Sequence, residues 1–322
     1  MSIGRVARLV ARRALQAVPV VAGVVTLTFV LIHLAPGDPV VMMAGEGGDA
    51  EYYADMRARY GLDRPLAIQY VRYLQSLAAG DLGHSFEYQR PVADVIRERL
   101  PATLLLAGTA FGLAVGAGLL IGVVTALAAG SWLDIGLRVG TSGLFAAPVF
   151  WTGQLLLLAF AVVMPVFPVG GISSLRGDAG GSTRDLLWHL VLPALSLSVG
   201  FLAVLARVVR SGVLTEIGRE YVRAARAKGT SRTRAALAHA LPNALVPAVT
   251  LVGHQVGTLL TGASLVEVVF GWPGLGRLLL DASAQRDYPL VIAVLLTVSL
   301  LVVAANVVTD SLYTVVEPRL ER

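Results

Sequence analysis

Chemistry in this chain would need a nucleophile with its base, a metal cluster or a phosphate cradle, and each has one place to look. Gly140-Thr141-Ser142-Gly143 sets a serine between glycines, and His254 lies far downstream. A serine nucleophile needs its histidine within hydrogen-bond reach. If both sit on helices entering from the cytoplasm, Ser142 stands roughly 5 Å and His254 roughly 15 Å above the helix starts at 1.5 Å per residue. The depths disagree, and helix packing through small residues explains the glycines more simply. The five histidines form no H-E-x-x-H pattern, and the absence of cysteine excludes disulfides and thiolate metal sites. Lys228, the only lysine, is followed by Gly229 rather than Ser or Thr, so the G-x-x-x-x-G-K-[ST] cradle is missing. No catalytic residue, no metal ligand and no cofactor is assigned to this chain. A nucleotide-driven activity would need another polypeptide to bind the nucleotide.

The residues around Lys228 are suited to docking instead. From Glu216 to Pro242 the chain is polar and basic between two apolar runs, and it reads as two short helices. Ile217, Tyr221, Ala224 and Ala225 recur at helical spacing and give the first helix a face of small and flat side chains. Gly229 is placed to close that helix, Ser231 to cap the second, and Pro242 to end it. The basic pair resembles a DNA-reading unit in composition, but tethering at both ends by membrane spans excludes a groove-bound partner, so no nucleic acid is expected. Attraction to lipid headgroups is the simpler reading of the arginines.

The elements that hold this knob are apolar. Of 322 residues 56% are hydrophobic and only 15% charged, and the charges are clustered. Runs of about 20 uncharged residues match the hydrocarbon thickness of a bilayer. Spans are expected at Ala14–Leu34, Ala102–Ala128, Val139–Met164, His189–Ala206, Ala244–Val266 and Pro289–Thr309. Residues 35–101 form a polar, Tyr-rich segment between the first two. Tyr70, Tyr73, Leu74 and Leu77 predict an amphipathic helix within it.

Basic residues set the orientation. Arg5, Arg8, Arg12 and Arg13 precede the first span, which is longer than a cleavable signal core and is read as retained. Arg207, Arg210, Arg219, Arg223, Arg226, Lys228, Arg232 and Arg234 crowd the link between spans four and five. The links after spans three (Arg176, Arg184) and five (Arg277, Arg286) carry far fewer. Both termini and the knob are therefore expected in the cytoplasm of an inner-membrane protein, and residues 35–101 outside. Spans two to six, so drawn, hold no Asp, Glu, Lys or Arg, which argues against an ion-coupled carrier. Gln154, His254 and Gln255 are the polar exceptions. Interhelical hydrogen bonding is their simpler role, lining a polar passage the sharper one.

The knob resembles the cytoplasmic EAA loop in membrane subunits of binding-protein-dependent ABC importers. Ala224, Ala225, Gly229, Leu241 and Pro242 fall at that family's spacing, with Arg223 where Glu is usual and His239 where Ile is usual. The dipeptide, oligopeptide, nickel and glutathione branch is closer still. Its features read here as Pro36-Gly37-Asp38-Pro39, Gly61-Leu62-Asp63-Arg64-Pro65, Gln69-Tyr70, Gly80-Asp81-Leu82-Gly83-His84-Ser85-Phe86 and Arg99-Leu100-Pro101-Ala102-Thr103-Leu104. Tyr221 to Gly229, Phe270-Gly271-Trp272-Pro273-Gly274-Leu275-Gly276 and Arg286-Asp287-Tyr288-Pro289 complete an ordered set along nearly the whole chain.

The resemblance implies an all-α integral membrane protein of six transmembrane helices with a type I importer (MetI-like) core. Its parts are a first helix with its cytoplasmic N-terminus (residues 1–34), the extracytoplasmic segment (35–101) and a five-helix core (102–309) with the coupling loop at 211–242. A cytoplasmic C-terminus (310–322) completes it. It implies half of a translocation pathway for peptides, with nickel or glutathione as the alternative cargo. Implied partners are a related second permease in a heterodimer, two cytoplasmic ATPases carrying ATP and Mg, an extracytoplasmic binding protein, and membrane lipid. Glu220, Tyr221, Arg223, Ala224, Ala225, Lys228, Gly229, Leu241 and Pro242 become the ATPase-coupling residues. The G-x-S-G run is similar to that of rhomboid-type intramembrane serine proteases, which is the further alternative.

Overall fold

The computed structural model describes residues 3–34, 49–60, 63–173 and 182–316. Pro36–Pro39, Gly61, Leu62 and Arg176 lie outside them. The described chain is helical, with one isolated β-bridge between His84 and Pro91. In order come α1 (Ile3–Leu34), α2 (Ala50–Tyr60), α3 (Leu66–Ala78), α4 (Val92–Leu127) and α5 (Trp132–Ala146). Then follow α6 (Val149–Leu157, continued by a π turn at Leu158–Val163), α7 (Thr183–Ile217) and α8 (Glu220–Ala227). The last are α9 (Arg232–Val269), α10 (Leu275–Ala284) and α11 (Tyr288–Val316).

Among the described residues α4, α7, α9 and α11 are long and apolar enough to cross a membrane, and α5 with α6 adds a bent fifth. The sixth expected span, Ala14–Leu34, falls in α1, whose apolar stretch Val18–Leu31 is shorter than the others. The third span is not the straight Val139–Met164. It starts at Trp132 and bends by 110° before Val149. Ala147 precedes Pro148 and is driven to extended geometry (φ −84°, ψ 134°), since the proline ring excludes helical backbone before it.

The helix limits also differ from the expected spans. The second span begins at Val92 and runs through Pro101, so the 101/102 boundary lies inside a helix. The fourth begins at Thr183, capped by the Ser182 hydroxyl accepting from Asp185 N at 3.2 Å, and ends only at Ile217. Arg207 and Arg210 are thus on a helix rather than in a loop, and 211–242 starts and ends inside helices. The 309/310 boundary likewise falls within α11.

The core sits where α4 crosses α7. Ala110, Ala114, Gly118 and Gly122 recur every fourth residue and are buried. A Cβ on Gly122 would lie 2.7 Å from Val209 Cβ and 2.8 Å from the Ala206 carbonyl, so only hydrogen fits. Small residues at this spacing let two backbones approach where lipid supplies no hydrophobic drive. Gly212 meets the Ala244 carbonyl in the same way, at 2.9 Å, and joins α7 to α9. The predicted amphipathic helix is α3, which lies on α1: Tyr70 and Thr26 hydroxyls meet at 2.6 Å, and Phe29 packs on Tyr70 and Tyr73.

Candidate functional site

The knob forms from three elements that meet. Helix α7 ends at Ile217, Gly218 turns the chain, and α8 buries one residue, Val222, against Ala235, Ala240 and Ile217. Burying a valine is worth about 1.5 kcal/mol or more. At the end of α8, Gly229 takes φ +93°. Its N–H donates to the Arg226 carbonyl at 2.9 Å and Thr230 N–H to Ala225 at 3.3 Å, the paired bonds of a Schellman stop. Ser231 accepts from Arg234 N at 3.4 Å and starts the next helix.

Pro242 does not end that helix. A π turn at Ala236–Ala240 lets Leu241 N–H donate to the Ala236 carbonyl, and the helix passes through the proline to Val269. The missing proline N–H falls where the bonding pattern is already shifted, so no ordinary bond is broken. The knob is therefore one short helix clasped by the extended ends of two spans.

Tyr221 locks the clasp. Its hydroxyl donates to Glu216 Oε2 at 2.5 Å and accepts from Asn243 Nδ2 at 2.9 Å, joining α7, α8 and α9. Burial and the Glu216 bond push the phenol pKa up. The expected smooth face of Ile217, Tyr221, Ala224 and Ala225 is accordingly split: Ile217 belongs to α7 and packs inward, and Tyr221 bonds back to the knob. The free face carries Glu220, Arg223, Ala224 and Lys228, all exposed, with Ala225 half-buried. Leu241 packs on the core, while His239 and Pro242 are exposed.

The three polar mid-span candidates separate. Gln154 and His254 are exposed; Gln255 is half-buried and lines a cavity of about 350 Å³ with Thr152, Ser196 and Thr258. Ser142 lines a different cavity, of about 780 Å³, and has no hydrogen bond to His254. A Cβ added to Gly140 or Gly143 would meet nothing within 4 Å, and Gly143 lines the same cavity as Ser142.

Two anchors escaped the sequence reading. At the end away from the knob Glu267 is fully buried and accepts from Thr103 Oγ1 (2.6 Å), Gly276 N (2.6 Å) and Arg277 N (3.2 Å). Its carboxylate sits at the start of α10, where the helix dipole favours negative charge. Trp272, also fully buried, donates Nε1–H to the Ala102 carbonyl at 2.9 Å. Nearby, buried Asp287 accepts from Ser85 Oγ at 2.5 Å and from Glu87 N at 3.2 Å, tying the polar segment to the loop between α9 and α11. At the knob end Asp134 takes Arg210 in a two-pronged bond, 2.9 Å to Oδ1 and 2.8 Å to Oδ2. An acid inside or beside an apolar run was the available signal for both.

The model of the binding-protein-dependent transport system inner membrane component matches residues 118–322, and the model of that family's N-terminal part matches 6–107. The di/tripeptide transport system permease protein DppB of Pseudomonas aeruginosa (strain UCBPP-PA14) is 42% identical over 97% of this chain and 98% of its own. The dipeptide permease DppB of Escherichia coli (strain K12) is 39% identical over 96% and 97%. The oligopeptide permease AppB of Bacillus subtilis (strain 168) is 36% identical over 96% and 98%. Among solved structures, an inward-facing MetNI methionine ABC transporter chain superposes with a TM-score of 0.56 at 18% identity, over 69% of this chain and 96% of that one. An amino acid ABC transporter gives 0.51 at 17%, over 70% and 94%. At those identities the likeness shows the fold, a type I importer core.

Proposed function

Because this chain belongs to the family of binding-protein-dependent transport system inner membrane components, we propose that it forms half of a translocation pathway for short peptides. It is a transport subunit of an ABC importer and a multi-pass inner-membrane protein. The dipeptide and oligopeptide names of its full-length relatives support the cargo class. In this reading both termini and the knob are cytoplasmic, and a related second permease completes the pathway. A binding protein delivers cargo at the outer anchors, and two ATPases close around ATP and Mg at the knob.

The observation that carries the coupling role is α8 itself: one side fixed by Val222, the other free and presenting Glu220, Arg223, Ala224 and Lys228. Small Ala224 admits a close partner, and the charges flanking it suit the rim of a cleft. Movement imposed on α8 passes to α7 and α9 through Tyr221 and from there to the walls of the passage. The test is uptake of alanylalanine into proteoliposomes holding the complete importer, with ATP hydrolysis followed in parallel. Gly229→Val is expected to preserve insertion and lower uptake per ATP hydrolysed. Uptake at the parental ratio, or uptake by the permeases without the ATPases, overturns the reading.

A further inference from the structure

The two cavities described above share walls on α5 and α7 and follow one another along them. The one containing Gln255 is lined by Leu144 and Phe145 of α5 and by α7 up to Val204. The larger begins one turn on, at Arg138–Gly143 of α5 and Ala206–Ser211 of α7. One contact joins their linings. The Arg207 guanidinium, which lines the larger cavity, lies 5.5 Å over the ring of Phe145, which lines the smaller.

Charge in the larger cavity is unbalanced. Arg138, Arg207 and Arg210 line it. Asp134 answers Arg210 at 2.8 Å and Arg138 more loosely at 3.7 Å. Among the described residues no carboxylate pairs with Arg207; its partner is an aromatic face. A guanidinium stacked on a ring keeps its N–H fork free for a planar anion. A carboxylate is such an anion, and it is the acidic group that every unmodified peptide carries at its end.

We propose that Arg207 binds the terminal carboxylate of the cargo as it leaves the Gln255 cavity for the cytoplasmic one, its N–H fork taking the carboxylate while Phe145 backs its face. This deepens the peptide reading above and rests on it for the cargo. The placement of Arg207 on α7, which ends in the knob, means that motion of the knob moves the guanidinium relative to Phe145.

The test uses the assembled importer in lipid nanodiscs. The chain lacks cysteine, so Ser142→Cys places one reporter thiol in the larger cavity. Anionic and cationic methanethiosulfonates are reacted with it in turn, with the importer lacking the new cysteine as the background. The anionic reagent is expected to react about tenfold faster than the cationic one, through local enrichment by the field of the cavity. That preference should collapse in Arg207→Gln and persist in Arg207→Lys. A ratio indifferent to Arg207 overturns the site. In proteoliposomes Arg207→Gln should slow alanylalanine uptake about tenfold, the worth of a charge-assisted bond, while sparing alanylalanine amide and ATP hydrolysis. Equal loss of both peptides overturns the carboxylate assignment. A reagent preference that appears only with phosphatidylglycerol present assigns the anion to lipid and overturns it too. If the thiol arm succeeds and the parental importer takes up neither peptide, the cargo reading fails and the anion site stands.

Discussion

Glu267 shows what a single carboxylate does at the edge of a membrane span. Three donors converge on it, one from α4 and two from the first turn of α10. Glu267→Ala strands the Gly276 and Arg277 amides and the Thr103 hydroxyl in a buried site, a cost of roughly 3 kcal/mol. Thermal unfolding in detergent should show it as a clear loss of midpoint, with Thr103→Val smaller and the pair less than additive. Unchanged melting would mean water replaces the carboxylate. Tyr73 allows a pH test at the same scale. Its hydroxyl is buried without a partner, and burial, then the Tyr70 phenol beside it, pushes its pKa up to about 12. A folded pKa above the unfolded value of about 10 favours the protonated form. Stability is therefore intact below about pH 10 and is lost as pH rises towards 12. A difference titration of phenolate absorbance against Tyr73→Phe should place this one tyrosine late; a midpoint near 10 counts against its burial.

At the scale of elements, α8 separates local signals from tertiary ones. Gly229 and Ser231 were readable because a Schellman stop and an N-cap depend on residues within one turn. Pro242 was misread because its role depends on a π turn upstream, which leaves no mark in the apolar pattern. The inward face was misread for the same reason. Periodicity marks Ile217, Tyr221, Ala224 and Ala225, yet the contacts that bury Val222 come from Ala235 and Ala240 on another helix. The 110° break at Ala147-Pro148 does carry a local signal, the bar on helical backbone before proline. These differences make α8 separable by mutation. Val222→Ala should loosen the knob by roughly 2 kcal/mol. Gly229→Ala should cost about 1–2 kcal/mol for a left-handed residue with a side chain, though its Cβ would meet open space. Hydrogen exchange of α8 amides should rise in both variants while α4 and α7 stay protected. Exchange rising across α4 would show instead that the knob is not an independent unit.

Across the whole molecule, α7 is the element on which α4, α5, α6, α8 and α9 all pack. Its 35 residues extend roughly 50 Å, from Ser182 to the knob, without a break in helix. Gly118 and Gly122 lie against it in the membrane, Gly212 joins it to α9, and Asp134 binds its Arg210 to the start of α5. If that ion pair, at the knob end of the rod, passes motion to α5, whose residues wall both cavities, breaking it should uncouple the two. Asp134→Asn keeps the shape and removes the charge. It should leave ATP hydrolysis within about twofold and lower peptide uptake about tenfold, the range of a coupling energy between sites. Exchanging the two charges, Asp134→Arg with Arg210→Asp, should restore part of the uptake, which a general packing defect would not allow. Hydrolysis and uptake falling together in Asp134→Asn would place the pair in folding rather than transmission, and α5 would then have to receive its motion through α4.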